Sequence, residues 1–213
     1  MSYPCILRTT EIVDADALLT EFEQVCAKDL TSALAGQTAW SGVRIYDRKG
    51  VDRIAELPVL SAFLDRLGRK NVVMVNYYNM APRSIQREHR DQSGNLLFGI
   101  SRIHVALKTN AGARLRIERK DYHLPVGEIW AIDTSGRHSA VNEGDDGRVH
   151  LVIDVTRAPE TAMVFPKMTV AVRLHLAKFC VIMGWKLARD AVLNPKSVLE
   201  RVIFIAKGGL RTA

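Results

Sequence analysis

Two side chains able to bind a metal stand two apart in His89-Arg90-Asp91, and a third, His138, comes 47 residues after Asp91. In an extended segment residues i and i+2 face the same side, so the imidazole and the carboxylate can converge on one ion. The pair alone is a weak signal, because a solvated loop carries such a pair as readily. His138 strengthens it. This histidine follows the apolar stretch Ile129–Ile132 and lies in a polar turn, Asp133-Thr134-Ser135-Gly136-Arg137-His138-Ser139. Two histidines and one carboxylate fill three neighbouring corners of an octahedron and leave three open. That suits non-haem iron(II), which has to hold an organic cosubstrate and dioxygen together. Zinc more often recruits a third histidine or a cysteine.

A second group of residues points to an anion. Arg102 and His104 are two apart and share one strand face, while Ile103, Val105 and Leu107 cover the other. Arg148 and His150 repeat the pattern opposite Val149, Leu151 and Ile153. Cations on the inward face of a buried strand are costly unless a partner neutralises them. A small dicarboxylate is one such partner, since a guanidinium fork holds a carboxylate by two hydrogen bonds. Structural pairing with Asp133, Asp154 or Glu128 is the other.

The elements that must position these residues are mostly strands. Val72–Tyr78, Ser101–Lys108, Ala113–Glu118, Glu128–Ile132 and Val149–Val155 are short β-prone runs separated by Gly, Asn, Asp and Pro. Several short strands at close spacing predict a sandwich or barrel, and a jelly roll suits a site enclosed between two sheets. Before them, Asp14 can cap a helix carrying Leu18, Leu19, Phe22, Val25 and Cys26 at helical spacing. Leu57, Leu60, Phe63, Leu64 and Leu67 form a second helical stripe, stopped by Gly68, and Gly42–Tyr46 reads as a strand between the two. Residues 168–189 are apolar on nearly every face, and Asn194-Pro195 opens a further helix that Gly208 and Gly209 end.

The charge is unevenly placed. Residues 166–213 carry nine basic and two acidic side chains, which is the whole +7 surplus, while residues 1–165 are balanced. A main domain over residues 1–165 and a basic helical region over 166–213 are therefore expected, with the second packing on the first or on a second copy of the chain. No aromatic residues interleave with the basic ones, which argues against nucleic acid. No uncharged stretch approaches the roughly 18 residues of a membrane span, and no secretory leader is evident. The cysteines, Cys5, Cys26 and Cys180, are odd in number and scattered, so a reducing, cytoplasmic setting is expected.

The motifs in order resemble a known family. His89-Arg90-Asp91, then Ser101–Val105, then Gly127–Ser139, then Arg148–Asp154 are similar to the aspartyl/asparaginyl β-hydroxylases, and most to the free L-proline cis-4-hydroxylase branch. The similarity covers roughly residues 71–156. It implies a double-stranded β-helix that uses iron(II), 2-oxoglutarate and dioxygen. It makes His89, Asp91 and His138 the metal ligands and Arg148 the anchor of the far carboxylate of 2-oxoglutarate. Arg102 and His104 match an Arg-x-His pair near the cosubstrate's other end, and His123 and Trp130 have counterparts in the proline-hydroxylase branch. The best-known animal members of the family lack a carboxylate at the position of Asp91, so this chain is more similar to the bacterial type with a complete triad. The implied activity is hydroxylation of an unactivated carbon in a small molecule, a free amino acid or related metabolite. Hydroxylation of an Asp or Asn side chain in a peptide and a metal-binding sensor without turnover are the alternatives.

Overall fold

The computed structural model describes residues 3–26, 40–91 and 94–193. The chain divides into two compact units, Pro4–Pro166 and a second made of Met1–Tyr3 with Lys167–Ala213.

In the larger unit the strands are β1 (Ile6–Ile12), β2 (Trp40–Asp47), β3 (Val72–Met80), β4 (Ser84–His89), β5 (Ile100–Lys108), β6 (Ala113–Ile117), β7 (Lys120–Tyr122), β8 (Glu128–Ile132), β9 (His138–Asn142) and β10 (Arg148–Thr156). They form a six-stranded sheet in the order β1-β8-β5-β10-β3-β2 and a four-stranded sheet in the order β4-β9-β6-β7. Every pairing between these strands is antiparallel. From β3 onward the chain winds back and forth between the sheets, and the first strand of that series, β3, pairs with the last, β10. This winding is the double-stranded β-helix, a jelly roll. β1 and β2 extend its larger sheet at either edge.

The central strands of the larger sheet are buried on both faces, and their alternation assigns each face a task. Ile103, Val105 and Leu107 of β5 and Leu151, Ile153 and Val155 of β10 join a core built with Leu18 and Phe22 of helix α1 (Ala15–Cys26) and Leu60, Phe63 and Leu64 of helix α2 (Pro58–Arg66). Burying each such side chain contributes about 1.5–3 kcal/mol. Phe22 stacks on Tyr77 of β3 with ring centroids 4.1 Å apart, which locks α1 to the sheet. As the sequence predicts, Asp14 caps α1 by accepting a hydrogen bond from the Ala17 amide at 2.9 Å. Gly68 follows α2 in a left-handed conformation, with φ of 70°. The opposite face of the sheet is left to line the interior of the jelly roll.

The smaller unit contains helix α3 (Val170–Leu193), begun by Thr169, whose carbonyl accepts from the Arg173 amide at 3.0 Å. Its Val170, Leu174, Val181 and Trp185 side chains are exposed. Among the described residues no helix is long and apolar enough to cross a membrane. The helix expected after Asn194 lies outside the described residues.

Candidate active site

His89 ends β4 and His138 opens β9, and these two residues are directly paired across the antiparallel ladder. Pairing brings their rings to a centroid separation of 4.2 Å. His138 is thus the first residue of a strand, whereas the sequence places it inside the preceding turn. Asp91 lies just beyond β4, where its amide donates to the Thr134 carbonyl at 3.0 Å and so ties the β4–β5 loop to the β8–β9 turn. Arg90, between the two acceptors, points away and bonds the Ser135 carbonyl and Glu118. The two-residue period therefore sends His89 and Asp91 to one side, as the sequence expects.

The three side chains converge. Asp91 Oδ1 is 3.5 Å from His89 Nε2 and 3.9 Å from His138 Nε2, and all three acceptor atoms fit within reach of one ion. The other ring nitrogens settle the tautomers. His89 Nδ1 lies 2.9 Å from the Arg87 carbonyl and His138 Nδ1 lies 3.0 Å from the Gly136 carbonyl. A carbonyl can only accept, so Nδ1 carries the proton in both rings and each Nε2 lone pair faces Asp91. Burial pulls the His138 pKa below the ordinary histidine value, which keeps that lone pair available.

A cavity of about 370 Å³ opens from this point into the space between the sheets. It is lined by His89, Asp91, Arg102, His104, His138 and Arg148, so the three candidate ligands meet the three residues that the resemblance puts beside the cosubstrate. Tyr78, Gln86, Thr134 and the apolar Leu115, Ile132 and Val152 complete its wall. Tyr78 follows from the parity of β3, but Gln86 sits on a strand with too little apolar alternation to be foreseen. His123 and Trp130 do not line the cavity. His123 Nδ1 faces the Ala113 carbonyl at 3.1 Å, and Trp130 Nε1 donates to Glu128 at 3.0 Å.

The two inward arginines differ sharply in their partners. Arg102 sits opposite Asp154 in the β5–β10 ladder. Its Nε and Nη2 donate to the two Asp154 oxygens at 2.7 and 2.9 Å, and its Nη1 donates to Asp91 Oδ2 at 2.5 Å. Burial works against its charge, but Asp154 and Asp91 more than reverse that and raise its pKa. The resemblance puts Arg102 beside the cosubstrate; here the guanidinium is already held by two carboxylates.

Arg148 is 4% exposed and has no carboxylate within ion-pair distance among the described residues. Its Nε donates to His150 Nε2 at 2.9 Å and its Nη1 lies 3.6 Å from the Met80 sulfur. Burial alone pulls its pKa down to about 10. His150 and His104, whose Nδ1 atoms are 3.4 Å apart, are held well below the ordinary histidine value by burial and then by Arg148. They stay neutral and give Arg148 no counter-charge.

The family model for aspartyl/asparaginyl beta-hydroxylase matches residues 10–158. The chain is 40% identical over 63 residues to the L-proline cis-4-hydroxylase of Rhizobium meliloti (strain 1021), a stretch that is 29% of this chain and 22% of that protein's length. The match thus spans about a fifth of that relative. Among solved structures, a Pseudomonas putida prolyl-4-hydroxylase is similar over 72% of this chain and 93% of its own, with 14% identity and a TM-score of 0.49. A 2OG-Fe(II) oxygenase-family oxidoreductase from Burkholderia pseudomallei is similar over 62% of this chain and 76% of its own, with 16% identity and a TM-score of 0.44. The strand order, not these two likenesses, identifies the fold. With a family model matching well over half of its length, from before α1 to beyond β10, the chain belongs to the aspartyl/asparaginyl beta-hydroxylase family.

Proposed function

We propose that this chain is an iron(II)- and 2-oxoglutarate-dependent oxygenase that hydroxylates an unactivated carbon of a small molecule, a free amino acid or a related metabolite. The observation that carries the reading is Arg148, a buried cation with neutral contacts, in the same cavity as three converging metal-ligand atoms. An uncompensated buried charge is expensive, so the site is built for an anion to complete it.

The donor set fits the metal. His89 Nε2, His138 Nε2 and Asp91 Oδ1 would hold iron(II), with nitrogen and oxygen donors that suit this ion and no thiolate. When bound, iron(II) with 2-oxoglutarate and dioxygen supplies the oxidising power to turn C–H into C–OH, with succinate and carbon dioxide as coproducts. The protein's part is positioning. Arg148 takes the far carboxylate of 2-oxoglutarate in its fork, with His104 lining that end and His150 backing the guanidinium, both as neutral rings. Leu115, Ile132 and Val152 supply apolar wall that keeps water from the reacting carbon. Asp91 occupies a metal position that a halide would need, so the product is hydroxylated and not chlorinated.

Residues 1–165 would form the catalytic domain, with 166–213 as a basic appendage. A cytoplasmic setting suits the scattered cysteines and keeps iron ferrous. The test is to incubate iron-loaded protein, 2-oxoglutarate and a panel of free amino acids in air, with His138→Ala alongside, and follow products by mass spectrometry. Gain of one oxygen by a free amino acid, lost in His138→Ala, supports the reading. Gain only by Asp or Asn within peptides overturns the substrate class. Absence of any oxygenated product together with absence of succinate overturns the activity.

A further inference from the structure

Arg102 occupies the wall of the cavity, yet its hydrogen-bonding capacity is directed at protein carboxylates. Nε and Nη2 form a two-pronged contact with Asp154, which is 4% exposed on β10. That contact fixes the guanidinium plane and leaves Nη1 aimed at Asp91 Oδ2. The remaining oxygen of Asp91, Oδ1, is the one that faces both histidines. Backbone closes over the ion pair at Gly94, where φ is 71° and a Cβ would stand 3.2 Å from Asp154 Oδ2 and 3.3 Å from Arg102 Nη2.

We propose that Arg102 is a positioning residue for the metal site: it holds Asp91 by Oδ2 so that Oδ1 alone is presented to the ion, and Asp154 acts through Arg102 as its anchor on the last strand. The proposal rests on the metal site put forward above. It follows from two physical needs. Asp91 lies beyond the end of β4, so its carboxylate needs an external partner to fix its rotamer and to stop both oxygens from turning to the ion. Charge supplies the second. Asp91 and Asp154 against one guanidinium leave a surplus of one negative charge, which a divalent ion converts to one positive charge. One carboxylate of 2-oxoglutarate then balances that end, and Arg148 balances the other. If Arg102 instead served 2-oxoglutarate directly, the buried Asp154 and the half-buried Asp91 would lose their counter-ion.

The test is a competition titration of Co(II), a redox-stable substitute for iron(II), against a chelating dye. It compares wild type, Arg102→Met, Arg102→Lys and Asp154→Asn, each also in an Asp91→Ala background. Arg102→Met and Asp154→Asn should each weaken metal binding about ten- to a hundredfold, with Arg102→Lys between them and wild type. In the Asp91→Ala background neither should cause a further loss, because the side chain being positioned is gone. Affinity for 2-oxoglutarate at saturating metal should fall less than metal affinity does. Asp154→Asn keeps the shape of the cluster and carries the comparison if Arg102→Met lowers the folded fraction. Unchanged metal affinity with a tenfold loss of 2-oxoglutarate binding would make Arg102 a cosubstrate ligand and overturn the proposal. An equal loss of metal affinity with and without Asp91 would reduce it to a structural ion pair. Failure of the metal site itself looks different: His138→Ala would then bind Co(II) as well as wild type.

Discussion

Arg148 carries a positive charge in a place that water barely reaches, and its contacts among the described residues are the His150 ring and the Met80 thioether. Changing it to Met keeps much of the side chain's length and its apolar stem while removing the charge-assisted hydrogen bonds. A loss of about 1.5–3 kcal/mol in 2-oxoglutarate binding is expected, roughly ten- to a hundredfold. Calorimetry on metal-loaded protein checks this, and equal binding by wild type and Arg148→Met would remove the anchor assignment. The neutral rings beside Arg148 have a consequence of their own. The pKa of His150 is depressed in the folded protein from an ordinary value near 6.5. The unfolded chain therefore binds the extra proton first as pH falls. The contribution is present above about pH 6.5 and declines below it, by up to about 1.4 kcal/mol per pH unit for each such histidine. Urea midpoints at about pH 8 and pH 5.5 should show the drop; superimposable curves would mean that His150 is protonated in the fold. Residue type and spacing made His89, Asp91, His138 and Arg148 legible in the sequence. The pairing of Arg102 with Asp154 was legible only as one alternative, because it depends on which residues 52 apart become neighbours in the ladder.

Strands that carry an apolar stripe on one face were the readable elements. β3, β5, β8 and β10 lie within a residue or two of their expected bounds, because each sends alternate aliphatic side chains into the core. β1, β4 and β9 had no such signal. β4 reads Ser-Ile-Gln-Arg-Glu-His and leaves Ile85 exposed, and β9 has only Ala140 as a buried apolar residue. Such strands are specified by their partners: the sequence offers an extended His89–Asp91 segment only beside a loop and places His138 in a turn, although β4 and β9 carry two of the three candidate ligands. Turn geometry is also testable at this scale. Gly127 leads into β8 with φ of 80°, donates to the Ala106 carbonyl at 2.9 Å and accepts from the Val13 amide at 2.9 Å. A Cβ there would stand 2.8 Å from the Val13 carbonyl oxygen. Gly127→Ala should cost about 1–3 kcal/mol. Gly50→Ala, also at positive φ but with nothing within 4 Å of the added carbon, should cost less. Denaturation midpoints compare the two, and equal losses would show that the close approach to Val13 is unimportant.

At the scale of the whole molecule, ligand binding and folding are linked. The triad is assembled from β4, the loop after it and β9, and Arg148 comes from β10, so none of this site exists in the unfolded chain. A ligand that binds only the folded form adds about 2.7 kcal/mol at a hundred times its Kd. A divalent metal should therefore raise the thermal midpoint, and 2-oxoglutarate should raise it further only when the metal is present. A shift by 2-oxoglutarate of equal size without metal would separate the anion site from the triad. The central claim is that these residues together support oxidation coupled to 2-oxoglutarate. It is tested most directly by following 2-oxoglutarate and succinate by NMR in air, with iron(II)-loaded wild type beside iron-free protein and Asp91→Ala. The account predicts succinate from iron-loaded wild type, faster with an accepted substrate, and none above background from the other two. Wild-type protein that leaves 2-oxoglutarate intact, or that forms succinate equally well without iron or without Asp91, would contradict it.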